Sequence, residues 1–146
     1  NGFDEHFPFA HNEDAELAWR VAEVGAIVFV PQMVIEHPPR PAGFGKQASR
    51  MRILESEFML YYKNPERYRK WRSTSPWKTI YSEVFFKHQL LILKSRLRFW
   101  KRPATFIKSV LLSLYWWADL LLRLPAFARA NQYYSKMYHR KNVSGS

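Results

Sequence analysis

Two adjacent carboxylates, Glu13 and Asp14, open a stretch with helical spacing, directly after a loop rich in phenylalanine, proline and histidine. Leu17, Val21 and Val24 fall at i, i+4 and i+7, so residues 14–24 read as an amphipathic helix with Gly25 as its C′ cap. Acids in the first turn meet the positive end of the helix dipole, and Asn12 or Asp14 is of the type that caps free N–H groups. A carboxylate kept ionised there can take a proton from a hydroxyl, which is general-base chemistry. The same residues suit a plain acidic cap in water, so spacing alone leaves both readings open.

The elements around this pair are short. Ala26, Ile27, Val28, Phe29 and Val30, closed by Pro31, read as a buried strand, and Met33, Val34 and Ile35 form a second extended run leading into His37. Helix, glycine turn, strand and proline together predict an α/β edge. Pro38, Pro39, Pro41, Gly43 and Gly45 then mark a linker or ordered loop. Beyond it the periodicity is helical over 47–71, broken at 73–76, and helical again over 77–100.

The charge divides at the same place. Residues 1–36 hold seven acids against one base, Arg20, while the other 22 bases stand against five acids in residues 37–146. This split predicts two regions with different roles: 1–41, and a basic tail over 42–146. A chain of 146 residues, 47% hydrophobic and 17% aromatic, can bury a core despite its formal charge of +11. Having no cysteine, it offers no disulfide framework, thiolate zinc site or cysteine nucleophile. A start at Asn1 inside a turn-like segment, with no initiator Met or leader, reads as a fragment of a longer protein.

Taken in order, Asn1-Gly2-Phe3-Asp4-Glu5, Phe7-Pro8-Phe9, Glu13-Asp14-Ala15-Glu16-Leu17, Arg20, Gly25, Val30-Pro31 and His37 resemble the end of the catalytic domain of family 2 glycosyltransferases of the GT-A fold. The resemblance covers residues 1 to about 41. It implies an α/β fragment, the C-terminal end of a Rossmann-like GT-A domain, followed by a mainly helical tail. It further implies an inverting transfer of a sugar from a nucleotide-sugar donor to a hydroxyl of a glycan or lipid-linked acceptor. Asp14 would be the general base, and Glu13 would orient it or touch the acceptor. Gly2, Phe3, Asp4 and Glu5 would floor the acceptor site, with Arg20 beside them. His37 would help bind a divalent cation, Mg or Mn, that holds the diphosphate. Alternatives stay open for two of these: His37 can instead hydrogen-bond locally, and Arg20 can pair with Glu16 or Glu23. The family's Asp-x-Asp motif and a Gly-rich phosphate loop are absent from these 146 residues, so the chain alone is expected to be inactive.

Residues 107–124 are the most apolar stretch, but Ser109 to Ala118 is its longest run without formal charge, ten residues against the roughly 20 that span a bilayer. Thr105, Lys108, Asp119 and Arg123 fall in one narrow sector, so an amphipathic helix over about 104–124 is expected to lie in a membrane interface or pack on other helices. Interleaved bases and aromatics suit anionic membrane or nucleic acid. With that helix beside them, the membrane is favoured and nucleic acid is not expected as a partner. The resemblance places the protein at the cytoplasmic face of the cell membrane. The rival reading is a non-enzymatic basic module that binds anionic membrane or nucleic acid.

Overall fold

A computed structural model describes residues 2–34, 36, 45, 49–96 and 101–144. Helix α1, Glu13–Val24, follows the loop 2–12. A 3-10 segment, Ser49–Glu55, runs into α2, Ser56–Lys63, and α3 covers Pro65–Trp71. The short α4, Pro76–Lys78, leads into a π-helical segment, Thr79–His88, and then α5, Gln89–Arg96. Two long helices finish the chain: α6, Pro103–Leu122, and α7, Leu124–Ser144.

No strand occurs among the described residues, which overturns the α/β expectation. The run 26–30 is not a buried strand: Ile27, Val28, Phe29 and Val30 are all exposed, Phe29 at 86%. The physical reason is a missing partner. A lone extended segment leaves its N–H and C=O groups without a ladder, however strong its β propensity. Among the described residues a turn forms there, in which Met33 N donates to Val30 O at 3.0 Å. Gly25 does end α1, but with φ −170° it is extended and not the left-handed cap that the spacing predicts.

Over the described residues 49–71 the helical periodicity is realised with a break at Asn64, which has φ −148° and ψ 77°. Pro65 disfavours helical backbone in the residue before it and is itself well suited to open a new helix. The Asn64 side chain accepts from Arg67 N at 3.4 Å and caps α3. Ser75 caps α4 in the same way.

The core gathers Met51, Leu54, Phe58, Met59, Ile80, Leu112, Trp116, Leu120, Phe127 and Tyr134. Phe58 on α2 is its centre, 5.2 Å from the Trp77 ring and 6.0 Å from Phe127 on α7. Polar pins fix the register of the long helices. Tyr62 OH donates to Asn131 Oδ1, Tyr81 OH to Leu120 O, and Trp117 Nε1 to Phe85 O, each at 2.9 Å. Burial pushes the Tyr81 hydroxyl up to about 12, so this donor stays protonated at neutral pH.

Helix α6 has two apolar faces. Leu112, Ser113, Trp116 and Leu120 are buried in the bundle, while Ile107, Leu111, Leu114, Tyr115, Leu121 and Leu122 are exposed. Its 20 residues are long and apolar enough to cross a membrane by length and composition, and only 22% of its most apolar window is buried by the rest of the protein. Asp119 and Arg123, in the expected polar sector, pair at 2.8 Å where α6 meets α7.

Candidate functional site

The start of α1 is held from beneath by α2 and α3. Asn12 sits at the N-cap position in left-handed backbone, φ 73° and ψ −8°, a region that Asn tolerates better than most residues. Its side chain makes no cap bond. It works as a clamp instead: Nδ2 donates to Glu57 Oε1 at 3.0 Å and to Ser56 Oγ at 3.4 Å, and Oδ1 accepts from Arg72 Nη2 at 2.9 Å. The expected capping role of Asn12 is thereby corrected, because a tertiary partner outcompetes the local N–H groups.

Glu57 is the hub of this clamp. It is 1% exposed, and beyond Asn12 it receives the Tyr68 hydroxyl at 2.7 Å, with His11 Nε2 at 3.4 Å and Arg72 at 3.8 Å. Burial alone would raise its carboxyl; the nearby His11 ring, hydrogen bonds from Asn12 and Tyr68 and the Arg72 charge outweigh it and hold the group below its ordinary range. Tyr68 is pushed well above the usual phenol range by burial and by the Glu57 charge, so it remains a donor. Its oxygen also lies 2.9 Å from Thr79 Oγ1, where the π-helical segment begins.

A second cluster fastens the loop 2–5. Lys63 lies 2.5 Å from both Asp4 Oδ2 and Glu16 Oε1, and Glu16, 3% exposed, also takes Arg20 Nε at 2.9 Å. Arg20 Nη2 then reaches back to Gly2 O at 2.6 Å. Burial raises the Asp4 carboxyl, but Lys63 and His6 more than compensate and hold it well below the usual carboxylate range. Arg67 pairs with Glu23 at 2.9 Å and also donates to Trp19 O. The Trp19 and Trp71 rings meet edge-on at 5.6 Å.

The sequence-derived site residues fall into four groups. Gly2, Asp4 and Arg20 are drawn into one network, fastened through Glu16 and Lys63. Phe3, Glu5 and Asp14 are exposed, and Asp14 Oδ1 accepts from Ala15 N at 2.7 Å. Glu13 has one carboxylate oxygen, Oε2, that is enclosed and takes no hydrogen bond. His37 lies outside the described residues. Among the described residues no group of three or more His, Asp or Glu side chains could hold a metal ion, so the divalent cation implied by the resemblance finds no ligand set among them.

Sequence reasoning missed Asn12 as a clamp, and it missed Glu57, Lys63, Tyr68 and Arg72 altogether. A signal existed for Glu57: it stands three residues after Leu54 and directly before the apolar run Phe58-Met59-Leu60. An acid on the apolar side of a helix implies a buried partner. Which partner it finds is not written in the spacing. No protein-family model matches the chain, and comparison with curated proteins and with solved structures returns no match.

Proposed function

We propose that this chain supplies the acceptor-side base of an inverting, family 2-like glycosyltransferase, with Asp14 deprotonating the acceptor hydroxyl. The observation that carries the reading is the pairing of an exposed Asp14 carboxylate with an enclosed, unpartnered Glu13 oxygen at the start of α1. Asp14 is open to a substrate. Glu13 Oε2 needs a donor that the described residues do not supply, and a sugar hydroxyl is such a donor. The Asn12 clamp and the Lys63 bridge support the reading, because a general base requires a fixed backbone beneath it. Arg20 acts as a fastener of the Gly2 loop through its bond to Gly2 O.

The exposed apolar face of α6 supports a position at a membrane interface, and on this reading the enzyme works at the anionic cytoplasmic side, on a lipid-linked acceptor. On this reading a nucleotide-binding half acts with it. The test is Asp14→Asn in the full-length enzyme, assayed for sugar transfer from radiolabelled nucleotide sugars to a membrane fraction. Loss of a general base lowers turnover by about 10²- to 10⁴-fold. Unchanged turnover refutes the assignment.

A further inference from the structure

A cavity of about 670 Å³ lies between the 3-10 segment, α3, the π-helical segment, α5 and α6. Its size is that of a small-molecule site, which typically runs from about 300 to 1,000 Å³. Three cations line it, Arg50, Arg72 and Lys87, against one carboxylate, Glu83. Lys87 is paired with Glu83 at 2.9 Å, and Arg72 donates to Asn12 at 2.9 Å and lies 3.8 Å from Glu57. Arg50 is exposed and has no acidic partner among the described residues. The cavity is therefore suited to an anion.

Deeper in, Gln89 lines the same cavity, is 1% exposed, and its Oε1 has no hydrogen-bond partner. A buried amide oxygen without a donor is costly to fold around. It marks a place where a ligand hydroxyl fits. Trp116 of α6 and Ile92 of α5 give an apolar wall, and Leu91, 65% exposed, carries that wall out to solvent. The cavity thus combines a buried acceptor with cations and hydrocarbon at its open side, where Arg50, Lys87 and Leu91 are all exposed. That combination matches a phosphodiester headgroup with a free hydroxyl at its tip and an acyl chain at its other end. Phosphodiester oxygens accept from guanidinium and ammonium groups.

We infer that this cavity binds the headgroup of an anionic glycerophospholipid, with the headgroup hydroxyl donating to Gln89 Oε1, the phosphodiester at Arg50, Lys87 and Arg72, and the chain leaving over Leu91. The site stands on the cavity itself. Its supply of lipid rests on the membrane reading of α6 given above.

The test uses the full chain and a lipid soluble as a monomer, dihexanoyl-phosphatidylglycerol, titrated by calorimetry beside dihexanoyl-phosphatidylcholine and inorganic phosphate. The glycerol lipid binds, and the choline lipid, which has no headgroup hydroxyl, binds about tenfold more weakly. Gln89→Leu and the exposed Arg50→Gln each weaken the glycerol lipid by about five- to tenfold. Circular dichroism checks that both variants fold, and Arg50→Gln carries the test if Gln89→Leu does not. Equal affinity for the two lipids, unaltered binding by the folded variants, or inorganic phosphate binding as well as the glycerol lipid overturns the proposal. Vesicle flotation separates it from the α6 reading: Leu111→Ser with Leu114→Ser abolishes flotation and leaves binding of the monomeric lipid intact. Loss of that binding in the α6 variant counts against a site at Gln89.

Discussion

Replacing Asn12 by aspartate separates the two roles that residue could have. As a plain helix cap, Asn12→Asp is neutral, because both residues cap equally well. In the structure the same change puts a carboxylate oxygen where Nδ2 stands, 3.0 Å from Glu57 Oε1 in a buried site. Two unit charges that close repel by about 5 kcal/mol at an effective dielectric of about 20. Protonation of one of them sets a lower ceiling: neutralising a carboxyl of ordinary pKa near 4 costs about 4 kcal/mol at neutral pH. The Arg72 donor to Oδ1 is kept and offsets part of this, so a loss of about 2–4 kcal/mol is expected at about pH 7. The sign of the pH dependence is fixed too. The proton shared by the pair has a raised folded pKa, so the penalty is full well above that pKa and shrinks as pH falls. By about pH 5 the ceiling is about 1.4 kcal/mol. Urea unfolding followed by circular dichroism at both pH values measures it. A variant within about 0.5 kcal/mol of the parent at both pH values refutes the clamp and restores the simple cap.

Tyr68→Phe removes a donor 2.7 Å from a buried carboxylate and is expected to cost about 1.5–3 kcal/mol at neutral pH. Because Glu57 has a lowered folded pKa, its stabilisation is present above the unfolded pKa and lost as pH falls through the folded one; without Tyr68 that folded pKa rises, so the acid midpoint moves to higher pH. An unshifted acid limb would mean that the hydroxyl does not reach Glu57. Phe29→Ser is expected to change stability by less than about 0.5 kcal/mol, since Phe29 is 86% exposed. A loss above about 2 kcal/mol in the same unfolding assay would show that the ring is buried after all.

The helices were legible locally, their buried faces only in part. Leu17, Val21 and Val24 located α1, yet Val21 and Val24 are exposed and its buried residue is Glu16, whereas Met51, Leu54 and Phe58 identified a face that is buried. Asp119 with Arg123 fell in one sector and form an ion pair. Helical hydrogen bonds and i,i+4 neighbours lie within a few residues of one another, so spacing alone specifies them. The run 26–30 shows the opposite case. Its composition is that of a strand, but a strand exists only with a neighbour, and none is present among the described residues. Propensity cannot supply the second half of a ladder.

The candidate site divides along the same line. The sequence alone determined that Glu13 and Asp14 stand together at a helix start, and that an acid-rich beginning precedes a base-rich remainder. Only the tertiary structure decided what those charges do: Lys63 reaches across 59 positions to Asp4, and Asn12 across 45 to Glu57. Charge balance predicts attraction between two regions but not which atoms meet. That is set by where the packing of Phe58, Ile80 and Phe127 brings the helices to rest.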